Sequence, residues 1–240
     1  MKKIFILLTF ILLLNCSLKL ETGEGKRYGL VYGINDYKNV SPDLNCAVAD
    51  AVGIYSNFIH YGYELIIRTD SEASKSNISN DIVSTVAKLQ PEDTLLFYFS
   101  GHGLLTNDIS YIAPYDADLN NIETFISEIE LFQWLKESKT EKVLLVFDHC
   151  FSGAYIAYRR FFVMTASKKY EYSYEFSNIG HGLFTYYFLK GMENKRADVT
   201  GDGIVTFSEM FYYVERNVTN SVYDQHPQFL GKTNVEYVLF

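Results

Sequence analysis

The chain has 240 residues, 48% of them hydrophobic, with only 4 prolines and a formal net charge of −8. That length suits one α/β domain with ample material for a core. The acidic balance without a basic stripe excludes nucleic-acid binding, and the 20 tyrosines and 18 phenylalanines, which do not alternate with basic residues, read as core.

The N-terminus is laid out for export. Lys2 and Lys3 form a basic start, residues 4–14 are apolar but too short to span a bilayer comfortably, and Asn15-Cys16 ends the stretch. Residues 1–15 are expected to be a signal peptide. Cys16 resembles the lipidated first residue of a bacterial lipoprotein, on a tether over 16–26; an ordinary cleaved signal peptide is the alternative. The domain proper is expected over 27–240.

Strands are predicted at 27–34, 64–68, 94–100, 142–148 and 160–165, with 235–240 as a sixth. Helices are predicted at 43–61, with Ala47, Ala51, Ile54 and Phe58 on one face, at 77–89, stopped by Pro91, at 125–137 and at 182–192. A short extended piece is expected at 111–114. Strands alternating with helices at this rhythm imply an α/β fold: about six strands in a mostly parallel sheet, with helices on both faces.

Two strings carry chemistry. Ser100-Gly101-His102-Gly103 follows the run 94–99, and Asp148-His149-Cys150-Phe151-Ser152-Gly153 follows 142–147. Short apolar runs rich in aromatic and β-branched residues are the pattern of central strands. A histidine and a cysteine therefore stand where strands stop, and open parallel sheets place their sites there. A thiol needs a base or cationic neighbour to become a good nucleophile, and imidazole can serve. A lone Cys is usually a small buried hydrophobe, but a Cys and a His on two strand ends of one domain point to a site. His before Cys argues against a papain-like order. The other cysteine of the domain, Cys46, is expected to pack at the entrance of the first helix, and free thiols are expected.

These residues resemble the caspase-like cysteine peptidases, in the metacaspase and bacterial caspase-like branch. His102 lies about 50 residues before Cys150, the caspase spacing, and residues 148–153 resemble the Asp-x-Cys-x-Ser-Gly of metacaspases. Gly33-Ile34-Asn35, Ala47 to Ala51, Thr165-Ala166-Ser167 and His181-Gly182-Leu183-Phe184-Thr185 are further landmarks. The resemblance covers about 28–240. It implies a caspase-like three-layer sandwich and a cysteine endopeptidase (a hydrolase) needing no cofactor for its chemistry. Cys150 would attack the scissile carbonyl, His102 would activate the thiol or protonate the leaving amine, and the N–H groups of Gly103 and Cys150 would hold the oxyanion.

By the same resemblance Asp50, Ser100 and Asp148 line a pocket for Lys or Arg, since a carboxylate pair binds a guanidinium with charge-assisted bonds. Asp50 as a first-turn helix acid and Asp148 as a turn cap are the alternatives. Ala49 and His149 depart from the usual pattern. Few residues separate Gly153 from the strand at 160–165, so the chain is expected to act uncut, although Arg159-Arg160 offers a basic site.

Residues 198–209 fit a twelve-residue, EF-hand-like calcium loop. Asp198, Thr200, Asp202 and Glu209, with the carbonyl of Ile204, are the expected Ca²⁺ ligands, and an Asp-Gly turn is the alternative. The expected partners are protein or peptide substrates with basic residues and, through the lipid, a membrane of the cell envelope. A catalytically weak scaffold or a calcium-responsive binding domain is the competing function; the intact His102 and Cys150 favour the enzyme.

Overall fold

The computed structural model describes residues 19–21, 25–155, 161–221, 223–231 and 235–240. The expected signal peptide, Cys16 and Arg159-Arg160 lie outside the described residues.

In chain order the elements are β1 (Lys19–Glu21), β2 (Arg27–Gly33), α1 (Ala47–Phe58), β3 (Tyr63–Thr69), α2 (Lys75–Val86) and β4 (Thr94–Ser100). A small antiparallel sheet follows, β5 (Gly103–Thr106), β6 (Ile109–Ile112) and β7 (Ile126–Ser127), and leads into α3 (Glu128–Leu135). Next come β8 (Lys142–Asp148), β9 (Phe162–Thr165), the hairpin β10 (Glu175–Phe176) and β11 (His181–Gly182), α4 (Leu183–Met192), α5 (Phe207–Thr219), β12 (Gln228–Leu230) and β13 (Val235–Tyr237).

The central sheet has the order β12-β9-β8-β4-β2-β3 and is parallel except for β12. Its inner strands β9, β8, β4 and β2 are buried on both faces for most of their length. Along β4, Leu95, Phe97 and Phe99 enter one core with α2 and α3, while Leu96 and Tyr98 enter the other with α1, α4 and α5. These two cores make the three layers. Serine caps start α2 and α3, Ser74 and Ser127 each accepting the N–H three residues on. A Thr206/Glu209 capping box starts α5.

The sixth strand of the sheet is not 235–240. The edge is β12, antiparallel to β9, whereas β13 pairs in parallel with β1 in a separate ladder. The chain end is drawn elsewhere: Leu239 and Phe240 donate their N–H groups to the Val205 carbonyl, and Phe240 accepts from Val205 N–H at 2.8 Å. Three residues between Pro227 and Gly231 make too short a run to read as a strand, and only the open side of β9 gives them ladder partners. The helix predicted at 125–137 starts at Glu128 because Ile126 and Ser127 pair with β6. Among the described residues, no helix is long and apolar enough to cross a membrane.

Candidate active site

β2, β4 and β8 pair residue for residue, so Gly33, Ser100 and Asp148 end level with one another. Two residues beyond Ser100 stands His102, and two beyond Asp148 stands Cys150. Both line one cleft, with Asp50, Ser100, Asp148 and Ser173. Its free volume, about 90 Å³, is far below the roughly 300–1,000 Å³ of pockets that take drug-sized ligands; it has room for a side chain.

The His102 ring packs against Tyr37 at 5.0 Å, and the Tyr37 hydroxyl accepts the His102 N–H at 2.7 Å. Nε2 lies 2.7 Å from the Pro42 carbonyl. A carbonyl only accepts, so Nε2 carries the proton and Nδ1 of the neutral ring keeps its lone pair. Cys150 directs its thiol to the Ser173 carbonyl at 3.7 Å. Burial pushes that thiol above its ordinary value, and the nearby Asp148 carboxylate adds to the shift. The sulfur is held as a thiol and needs a base.

The turn after Cys150 is tight. Phe151 takes φ +62° and donates its N–H to the Glu171 carbonyl at 2.8 Å. Gly153 passes so close to Ser167 and Lys168 that a Cβ would lie 2.6 Å from their backbone atoms. His149 braces the two loops from behind: Nδ1 donates to the Cys150 carbonyl at 2.8 Å, and the ring sits where a Cβ on Gly103 would meet it at 1.9 Å. Burial lowers His149 to about 4, so it stays neutral. Gly103 and Cys150, whose N–H groups are the expected oxyanion donors, are thus fixed against one imidazole.

In the same cleft two carboxylates converge. Asp50 is 1% exposed and Asp148 5%. Both approach Gly182, where a Cβ would lie 2.6 Å from Asp148 Oδ2 and 3.1 Å from Asp50 Oδ2. Asp50 is fully engaged: it accepts from Ser100 Oγ at 2.9 Å, from His181 Nδ1 at 2.8 Å, and from Gly182 N–H on both oxygens. Asp148 Oδ2 accepts Thr185 N–H at 3.1 Å and Thr185 Oγ1 at 2.6 Å, while Oδ1, among the described residues, accepts only Ser173 Oγ, at 2.6 Å. Gly182 is the side-chain-free N-cap of α4. The acid pair thus caps this helix from outside and meets its positive end. Among the described residues, His181 is the one basic side chain bonded to either acid. Burial raises both carboxyls, and Asp148, with the charge of Asp50 as second cause, is pushed up to about 7.

Sequence reasoning missed several of these groups. His181 and Thr185 lie in a landmark that had no role attached. Ser173, Glu175 and Gln225 follow no periodicity or motif. Glu175 takes the N–H groups of Asn45 and Cys46 at 2.9 to 3.1 Å, tying the β10–β11 hairpin to the start of α1. Cys46 is buried and raised to about 11, first by burial.

Away from the cleft, the loop 198–209 closes on itself. Asp198 accepts the N–H groups of Gly201, Asp202 and Gly203, and Asp202 accepts that of Ile204. Glu209 divides between the amides of Val199 and Thr200 and the capping box with Thr206. Glycines 201 and 203 supply the positive φ angles. Asp198, Thr200, Asp202 and Glu209 offer oxygen only, the donor type a hard cation takes. The Lys195 ammonium already occupies the Gly203 carbonyl.

The family described as Caspase domain matches residues 26–238. The chain is 31% identical over 105 residues to Metacaspase-1 of Schizosaccharomyces pombe, covering 40% of this chain and 24% of that protein. It is 28% identical over 152 residues to Metacaspase-1 of Debaryomyces hansenii, covering 54% and 33%. The chain thus spans about a quarter to a third of the length of these two curated relatives. Its fold matches the crystal structure of protein GSU0716 from Geobacter sulfurreducens with a TM-score of 0.67 at 16% identity, over 87% of this chain and 94% of that one.

The acid pair sets a pH signature. Asp148 titrates near 7 when folded and about 3.9 when unfolded, so between those values the folded state binds the extra proton and this group favours folding more as pH falls. Asp148→Asn keeps an acceptor for Thr185 and removes the buried charge. It should raise stability at pH 8 by up to about 4 kcal/mol, with the gain shrinking to nothing near pH 4. Thermal melts of both proteins across that range check it; a variant less stable at pH 8 would count against the raised value.

Proposed function

The chain belongs to the caspase-domain family, and from that premise we propose that it is a cysteine endopeptidase that cuts proteins after Arg or Lys through His102 and Cys150. The observation that carries this is the buried acid pair in the same cleft as the thiol, with Asp148 Oδ1 holding a single donor among the described residues. An arginine side chain brings to the pair a guanidinium, and no lysine or arginine among the described residues is bonded to either acid; an aspartate side chain would add a third negative charge.

The chemistry follows from the groups present. His102 Nδ1 takes the proton of Cys150, and the thiolate attacks the carbonyl carbon of the residue seated in the pocket. The tetrahedral oxyanion is met by the N–H groups of Gly103 and Cys150. Collapse expels the amine, which takes the proton from His102, and leaves a thioester. Water then gives a proton to His102 and attacks the thioester, and the thiolate leaves and regains that proton.

Two further parts of the reading concern setting. Ca²⁺ bound at 198–209 by Asp198, Thr200, Asp202, Glu209 and the Ile204 carbonyl stabilises the fold and takes no part in the chemistry. The protein is exported and held at the cell envelope by lipid on Cys16.

Fluorogenic peptides test the enzyme. Arg and Lys before the cut should give kcat/KM at least about a hundredfold above Asp, since a like-charge contact costs several kcal/mol. Cys150→Ala should abolish turnover, and His102→Ala should lower it by about 10² to 10⁴. Equal rates on Arg and Asp peptides refute the specificity, and undiminished turnover in Cys150→Ala refutes the nucleophile. For the loop, calcium at about a hundredfold over Kd should add about 2.7 kcal/mol of stability, magnesium should not, and Asp202→Ala should abolish the gain; a gain that persists places calcium elsewhere. For the anchor, Cys16→Ser should release from the membrane fraction a protein otherwise found there; an unaltered protein that is already soluble rules the anchor out.

A further inference from the structure

The strap between α5 and β12 carries Gln225, whose side chain is fully buried, 0% exposed, in a part of the chain remote from both catalytic strings. It reaches three groups. Its Oε1 accepts the Tyr174 N–H at 3.1 Å, and its Nε2 lies 2.9 Å from the Ala166 carbonyl and 3.3 Å from Ser173 Oγ. The amide has only one orientation open to it. Tyr174 N–H can only donate and the Ala166 carbonyl can only accept, so oxygen faces the first and nitrogen the second. The second Nε2 hydrogen then points at Ser173 Oγ.

That direction is passed on. A serine hydroxyl has one proton. With its oxygen receiving Gln225, Ser173 turns its own proton to Asp148 Oδ1 at 2.6 Å. The chain of donors runs from Tyr174 N–H through Gln225 and Ser173 to the carboxylate. A second chain reaches the other oxygen, because Thr185 gives its proton to Oδ2 and so accepts from the Tyr98 hydroxyl at 2.5 Å. The Ser173 carbonyl meanwhile takes the Cys150 thiol. One residue thus touches acid and nucleophile, and Gln225 sets its polarity. The neighbouring His226 reinforces the strap, its N–H and Nδ1 both on the Glu171 carboxylate at 3.0 Å.

We infer that Gln225 is a positioning residue for recognition of the basic side chain: through Ser173 it holds Asp148 as a charged acceptor directed into the cleft. The inference rests on the acid pocket proposed above. The titratable groups facing Asp148 are Asp50 from α1, Tyr98 from β4 and Cys150 from its own loop; none of them supplies a proton to Oδ1.

Gln225→Glu is nearly isosteric and tests the direction of the relay. It puts an oxygen opposite the Ala166 carbonyl and reverses the Ser173 proton away from Asp148. Ser173→Ala removes that proton from the other end and keeps the backbone carbonyl for Cys150. On an Arg peptide each variant should raise KM about tenfold, the order expected when one hydrogen bond to a charged group is lost, with kcat changed far less. The acid limb of the pH profile should move up. The double variant should cost little more than either alone, because both break one relay. Titration of the Asp148 carboxyl by carbon NMR reads the same effect without substrate: its midpoint should rise in both single variants, each checked by melting to be folded. Unchanged KM and an unchanged midpoint in a folded Gln225→Glu protein overturn the inference, as do additive effects in the double variant. If the unaltered protein fails to cleave after Arg or Lys, the pocket reading falls, and the carboxyl titration still decides whether Gln225 acts on Asp148.

Discussion

Pairing of β2, β4 and β8 in one level register is the constraint on which the cleft depends. A strand buried on both faces has little alternation to hold its register, so the ends must do it. At the start of the strands, Thr140 Oγ1 donates to the Asp93 carbonyl at 2.6 Å and accepts Lys142 N–H, while Asp93 Oδ1 accepts Lys26 N–H at 2.8 Å. These contacts align the entries of all three strands. At the far end, Ser100 and Asp148 each have one set of partners. A slip of β8 by one residue would turn Asp148 away from Thr185 and Ser173, strand a buried carboxylate, and carry Cys150 to the wrong level relative to His102.

The acid pair is costly to keep. Two carboxylates a few per cent exposed, without a lysine or arginine bonded to either among the described residues, oppose folding by their desolvation and mutual repulsion. Three features offset that: the amides of Gly182 and Thr185 at the start of α4, the hydroxyls of Ser100, Thr185 and Ser173, and His181. The arrangement is the reverse of a core built for stability alone. It is also why Gly182 has no substitute, since any side chain there would enter the space between the two acids.

Much of this was legible in the sequence, for a physical reason in each case. β4 and β8 are continuous apolar runs closed by Ser-Gly and Asp-His, so their existence, their bounds and the placing of His102 and Cys150 at their ends could be read from composition and punctuation. The edge strand could not, because Gln228-Phe229-Leu230 carries no period and exists by virtue of the open side of β9. The run at 235–240 does form a strand over Val235–Tyr237, but it pairs with β1 outside the central sheet, and Leu239 and Phe240 bond Val205. Ser173 and Gln225 were illegible since they act through hydroxyl and amide polarity across a long stretch of chain, and local pattern holds no record of such contacts. His149 looked like a departure from a small-residue position; the space between Gly103 and Cys150 accounts for it.

The same geometry ties Cys150 to the acid pair. Asp148 lies two residues before Cys150, and its negative charge is one of the causes that hold the thiol protonated, after burial. A guanidinium drawn into the cleft would cancel part of that field at the moment the scissile carbonyl reaches the sulfur. On the proposed reading, a basic residue therefore acts twice: it fills the pocket and it lowers the free energy of the thiolate that His102 must generate. A peptide without it meets a sulfur still burdened by the acid pair. Selectivity then resides in the chemical step as well as in binding, which is where transition-state discrimination is most effective. On that reading the free protein keeps a protonated thiol directed at the Ser173 carbonyl, a form with low nucleophilicity, until a side chain of the right charge arrives.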